Sequence, residues 1–126
     1  MPTVLRRSEV LFIDTPGHNQ AGALATPSRG ATAVSIIVQR QIPGGVSPLH
    51  SHDREEVTLL AAGRVAMTVG DERVEIGPGD AVVVPPRTLH RMVNAGETAA
   101  EWLIVAPAGV RFFAEDGAEA EPDWAR

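Results

Sequence analysis

Three residue types are missing from the 126 positions of this chain: cysteine, lysine and tyrosine. Without Cys there is no thiol nucleophile, no disulfide framework and no thiolate metal site. Without Lys there is no Schiff-base lysine, and without Tyr there is no phenolic acid or base. Aromatics are also scarce, at 4% of the chain. No apolar run approaches the roughly 18 residues of a membrane span. The first residues hold two Arg and too short an apolar stretch for a secretion signal. A cytoplasmic protein is therefore expected, although zero Cys suits any redox compartment. Chemistry falls by elimination to four His, the carboxylates, hydroxyls, amides and eleven Arg.

What is present is ordinary for a globular domain: 44% hydrophobic, 21% charged, and a length suited to one core. The Ala, Gly, Val, Arg and Pro bias is that of a GC-rich bacterial genome. The net charge of −5 is unevenly placed. Residues 114–126 carry five carboxylates and one Arg, so residues 1–113 are close to neutral. This leaves no electrostatic footprint for nucleic acid, and no membrane or nucleic-acid partner is expected.

Gly and Pro punctuate a series of short β-branched runs. Strands are expected at 10–13, 31–42, 56–60, 65–69, 73–76, 81–84, 90–93 and 101–105, with a hairpin at Gly70-Asp71. Residues 18–30, small and polar, read as a loop containing His18. A short helical turn is expected within 111–116. The spacing of the runs indicates an all-β sandwich or barrel in a single domain. Residues 1–30 would supply its first strand and loop, 31–113 its core, and 114–126 an acidic tail whose Trp124 docks on the exterior.

Three of the four His fall in two places, His50 and His52 after a Pro-Gly-Gly turn and His90 after a Pro-Pro turn. In an extended segment His50 and His52 share a face, and Glu56, at an even offset, can stay on it. His90 must come from a neighbouring strand across the barrel. Three neutral imidazoles and one carboxylate form a mixed nitrogen and oxygen set suited to Fe, Ni, Mn, Co or Zn. In an octahedral ion they leave two positions open for water, substrate or dioxygen. Taken alone, a His-x-His pair is more often a surface or loop pair than a ligand set, and Glu55-Glu56 reads as a solvated strand start.

The surrounding pattern separates these readings. Gly44, five residues, His50-x-His52, three residues, Glu56, six residues and Gly63 follow one another in order. After a 15-residue spacer come Gly79, five residues, Pro85-x-Arg87, two residues, His90, three residues and Asn94. The pair closely resembles the two motifs of the cupin superfamily and departs at one position, where Arg87 replaces the usual Gly. The resemblance implies a six- to eight-stranded antiparallel jelly-roll barrel of the small single-domain bacterial type. It also implies one divalent transition metal held by His50, His52, Glu56 and His90. Asn94 is expected to cap a turn and Arg87 to face solvent.

Gln39 and Gln41 would add a polar wall if their face of the strand turns inward, and Met92 shares the face of His90 as a soft apolar lining. Trp102, Phe112 and Phe113 read as core or dimer surface. The leading functional expectation is a metal-dependent dioxygenase acting on a chelated small molecule. The alternatives are a non-redox isomerase, cyclase or decarboxylase, and a non-enzymatic metal- or metabolite-binding cupin. Glu56 is the one nameable base, should it bind the metal loosely. A homodimer formed through edge strands is expected from the resemblance.

Overall fold

A computed structural model describes residues 2–120, Pro122 and Ala125. Twelve strands run in chain order: β1 (Ile13–Thr15), β2 (Asn19–Ala25), β3 (Val34–Gln41), β4 (His50–His52), β5 (Glu56–Ala62), β6 (Val65–Val69), β7 (Glu72–Ile76), β8 (Ala81–Val84), β9 (His90–Val93), β10 (Ala100–Pro107), β11 (Phe112–Ala114) and β12 (Glu119–Ala120). They form two six-stranded antiparallel sheets, ordered β1-β2-β3-β10-β5-β8 and β12-β11-β4-β9-β6-β7. The all-β jelly-roll architecture expected from the sequence is therefore present, laid out as two facing sheets. Among the described residues no helix is long and apolar enough to cross a membrane.

Period-2 burial shows why these segments are strands. Along β10, Ala100, Trp102, Ile104 and Ala106 are buried while Glu101, Leu103, Val105 and Pro107 are half-buried on the other face. Of the inward set, Ala100, Trp102 and Ile104 meet Ile37, Leu60, Val65, Met67, Ile76, Val84 and Met92 in one core cluster between the sheets. Fully burying an aliphatic side chain of this kind contributes about 1.5–3 kcal/mol relative to leaving it exposed. The hairpin read at Gly70-Asp71 joins β6 to β7, with Val69 opposite Glu72 and Gly70 at φ 59°.

Several boundaries differ from the sequence expectation. The segment 18–30 is not one loop, because Asn19–Ala25 form β2, paired to β1 and β3. Its small residues hid the strand, and packing requires them to be small. A Cβ on Gly22 would lie 2.4 Å from Val10 Cγ1 and 2.8 Å from the Leu11 carbonyl oxygen, where the N-terminal segment crosses the sheet. The first strand begins at Ile13 rather than Val10, and the third at Val34 rather than Ala31. The helical turn expected within 111–116 is instead β11, which hydrogen-bonds to β4 and to β12. A bidentate contact from Arg111 to Glu119 closes that last hairpin, with N···O distances of 2.8 and 2.6 Å. The expected docking of Trp124 lies outside the described residues.

Candidate metal centre

β4 and β9 are neighbours in the second sheet, and His50 sits directly opposite His90 in their register. His52, two residues on, falls on the same face, so the three rings converge. Their centroids lie 4.2 Å apart for His50 and His90, 5.1 Å for His50 and His52, and 5.3 Å for His52 and His90. One ligand-type nitrogen from each lies within 4.8 Å of the others.

Glu56 arrives by a different route. The chain bends at residues 53–55, where Asp53 Oδ1 accepts the Arg111 N–H at 2.7 Å, and then enters β5 in the opposite sheet. Hence His90 shares a sheet with His50 and His52, and it is the carboxylate that reaches across. Along β5 the inward residues are Glu56, Thr58 and Leu60.

Local hydrogen bonds fix the orientation of the imidazoles. His50 Nδ1 lies 2.8 Å from the Pro48 carbonyl and His90 Nδ1 lies 2.9 Å from the Thr88 carbonyl, the same two-residue reach in both. A carbonyl oxygen can only accept, so each Nδ1 carries the proton and each Nε2 keeps its lone pair. Arg87 holds the Pro-Pro turn against β4 through its N–H, 2.6 Å from the His52 carbonyl. Arg87 has φ +58°, the left-handed conformation that the glycine of the motif would adopt without strain. Its side chain is exposed, and Asn94 caps the turn after β9 by accepting the Gly96 N–H.

The carboxylate lies among these nitrogens. Glu56 Oε2 is 2.6 Å from His52 Nε2, Oε1 is 3.5 Å from His90 Nε2, and Thr58 Oγ1 donates to Oε1 at 3.1 Å. Burial would raise the Glu56 carboxyl, but the His52 and His90 contacts outweigh it and hold the group well below the usual range. Burial would likewise lower His90, and the carboxylate beside it raises it instead. His50 is pushed down to about 4 by burial and by the neighbouring His90, which keeps it neutral and able to ligate at pH 7.

These residues fit a divalent transition ion. His52 Nε2, His90 Nε2 and Glu56 Oε2 are buried atoms without a properly angled hydrogen bond, despite the short N···O approach. Buried lone pairs left unpaired are costly. A cation shared among them would satisfy all three, and three imidazoles with one carboxylate form a donor set of borderline hardness.

A cavity of about 300 Å3 opens beside the centre. Of the four candidate ligands only His50 lines it, together with Gln39, Leu49, Phe112 and Phe113 among others. His50 is half-buried whereas His52, Glu56 and His90 are buried, so this is the accessible side. A larger hollow of about 450 Å3 shares Phe112, Ala120 and Pro122 with the cavity but holds no His.

The remaining sequence candidates divide. The face of β3 that carries Gln39 and Gln41 does turn inward. Gln39 is on the cavity wall, whereas Gln41 is buried behind it, its Nε2 donating to the Met92 carbonyl at 3.1 Å. Met92 belongs to the core cluster and is not among the residues lining the cavity. His18 is exposed in the β1–β2 turn. Trp102 is core, Phe112 packs against that core and also lines the cavity beside Phe113, and Phe112 stands edge-on to His52 with centroids 4.5 Å apart. Ser47 and Asn19 also line the cavity and carried no motif in the sequence. Thr58 was equally silent there, although its place two residues after Glu56 was a signal that it shares the carboxylate's face.

Comparison with known proteins places these features in a family. A family model described as a cupin domain matches residues 37–106. A germin-like protein from Oryza sativa subsp. japonica is 36% identical over 93 residues, 68% of this chain and 41% of its own length. Gentisate 1,2 dioxygenase 1 from Aquipseudomonas alcaligenes is 32% identical over 95 residues, 75% of this chain and 26% of its own length. The chain thus spans well under half of these curated relatives. Among solved structures, the polyketide cyclase RemF from Streptomyces resistomycificus superimposes with a TM-score of 0.76 at 24% identity, over 87% of this chain and 82% of that one.

Proposed function

The chain belongs to the cupin family, and from that premise we propose that it is a metal-dependent enzyme oxidising a small organic molecule in a dioxygenase-type reaction. The observation that carries this reading is the convergence of His50, His52 and His90, with Glu56 against His52 and His90 and unpartnered buried atoms between them, beside a ligand-sized cavity. The likeness to a gentisate dioxygenase over three quarters of the chain supports the oxidative version. A divalent Fe, Mn, Ni, Co or Zn ion there would supply Lewis acidity toward a chelated oxygen and, where the ion is redox-active, a path for electrons to dioxygen.

The chain's own residues do the rest. Pro48 and Thr88 carbonyls hold two imidazoles in the ligating tautomer, and Thr58 steadies Glu56. Glu56, with its depressed carboxyl, is a weak proton acceptor at neutral pH, so its part is that of ligand rather than free base. Gln39 offers an amide to the substrate from the cavity wall. Gln41 supports that wall from behind by fixing the Met92 carbonyl, and Ser47 Oγ takes the Met92 N–H at 2.8 Å. Phe112 and Phe113 give the cavity an apolar wall.

The test is elemental analysis of protein purified without a chelating tag, alongside His90→Ala, followed by turnover assays in air and under nitrogen. Wild type should hold one metal per chain and the variant much less, with activity lost under nitrogen. Equal, substoichiometric metal in both would overturn the site. Full activity without oxygen would move the reading to Lewis-acid isomerisation, cyclisation or decarboxylation. The assembly proposed is a homodimer, supported by the apolar outer face of the first sheet, where Ile36, Leu59, Leu103 and Val105 are half-buried and Val83 is exposed. Sedimentation at the monomer mass would refute it.

A further inference from the structure

Three of the four candidate ligands have a second partner that fixes them. His50 Nδ1 is held by the Pro48 carbonyl, His90 Nδ1 by the Thr88 carbonyl, and Glu56 Oε1 by the Thr58 hydroxyl. His52 differs. Its Nδ1 is a buried atom without a hydrogen-bond partner among the described residues. Pro48 and Thr88 lie just ahead of their strands, so their carbonyls can turn toward a ring two residues on. The residue two before His52 is His50, which sits inside β4 with its backbone paired to both β9 and β11. The ring beside His52 is Phe112, and an aromatic face accepts an N–H only weakly.

The two nitrogens of His52 are therefore in conflict. With Nε2 2.6 Å from Glu56 Oε2, a neutral His52 keeps its proton on Nε2, facing the carboxylate. Ligation through Nε2 requires the other tautomer, which puts an N–H at the buried Nδ1 where nothing accepts it. Such a group is costly. The acceptor behind a ligating imidazole is worth about ten- to a hundredfold in metal affinity. His50 and His90 have one, and His52 does not.

We infer that His52 is the labile ligand of the centre, the one that lets go of the ion when a molecule chelating through two oxygens enters beside His50. Four protein ligands leave two positions on an octahedral ion, and such a molecule fills both. Release of His52 opens a third, while His50, His90 and Glu56 keep the ion in place. This rests on the metal-centre reading above and gives its four residues unequal parts.

The test uses the full chain loaded with Zn2+ and labelled with 15N at histidine, with acetohydroxamate as the chelating probe. In the loaded protein the Nδ1–H signals of His50 and His90 should carry the downfield shift of a hydrogen bond, and that of His52 should lack it. Saturating acetohydroxamate should return the ring nitrogens of His52, and of no other histidine, to their zinc-free shifts. In competition with a chromophoric chelator, His52→Ala should weaken zinc binding about ten- to a hundredfold less than His50→Ala or His90→Ala does. The spectra are taken on the wild type, so they stand even if a substitution unfolds the chain. A hydrogen-bonded His52 Nδ1–H, retention of His52 on zinc under acetohydroxamate, release of another histidine with it, or equal losses in the three variants would each overturn the inference while leaving the metal centre standing. Failure of the wild type to take up zinc would overturn the metal-centre reading and this inference together.

Discussion

Thr58→Val changes one atom's chemistry beside the ligand set while nearly keeping its shape. Thr58 Oγ1 donates to Glu56 Oε1 at 3.1 Å, and both residues are at most 2% exposed, so no water replaces the lost bond. A hydrogen bond to a charged group is worth about 1.5–3 kcal/mol. Burying a methyl in place of the hydroxyl recovers roughly 0.8 kcal/mol, leaving a net loss of about 1–2 kcal/mol in the metal-free protein. At an unfolding entropy of about 2.1 cal/mol/K per residue, 126 residues give a shift of about 4 °C per kcal/mol. The melting temperature should therefore fall by about 4–8 °C. Because the same bond orients a candidate ligand, metal affinity should drop by about ten- to a hundredfold. Differential scanning calorimetry and competition with a chromophoric chelator read the two effects, and Thr58→Ser, which keeps the hydroxyl, should restore the metal affinity. An unchanged metal affinity in Thr58→Val would refute the assignment of Glu56 as a ligand oriented by Thr58.

Three further changes probe the frame around the centre. Arg87→Gly should relieve about 1 kcal/mol of left-handed strain at φ +58°. Glycine's greater freedom in the unfolded chain offsets part of this, so a gain of about 2 °C is expected, and a clear loss would show that Arg87 side-chain contacts dominate. Gly17→Ala would place a Cβ 1.8 Å from the Val46 carbonyl oxygen at φ +88°, so a loss of about 3 kcal/mol or more in chemical denaturation is expected; a loss below about 1 kcal/mol would mean that the β1–β2 turn moves freely. Glu101, held by Arg7 and Arg40, has a lowered pKa, chiefly through the Arg7 hydrogen bond. It therefore stabilises the fold above its unfolded value and loses that contribution as pH falls through the folded one. Glu101→Gln should cost at most about 1 kcal/mol at pH 7, these groups being partly exposed, and the difference should vanish at strongly acid pH; a difference that persists there would point to packing instead.

Some of these features were legible before any fold was known. Strands such as β6, β8 and β9 were read to the residue, because β-branched runs bounded by Gly and Pro are local signals. β2 was not legible, because Ala21, Gly22 and Ala23 lack the alternation of large and polar side chains. Gly22 has its reason for being small in the close approach of Val10 and Leu11. Phe112 and Phe113 were placed in core or at a dimer surface, since hydrophobicity alone does not distinguish a core wall from a cavity wall.

The absence of Cys, Lys and Tyr, together with the spacing of His50, His52, Glu56 and His90, pointed to a metal centre as the chemistry to expect. Those are statements about residue types and short-range periodicity, which a linear sequence carries in full. Only the tertiary structure decided that Glu56 crosses from the opposite sheet and that His50, of the four candidate ligands, is the one that meets the cavity. Each depends on the bend at residues 53–55 and on the pairing of β4 with β9 and β11. Such register is set by the packing of distant strands, so no local stretch of sequence encodes it.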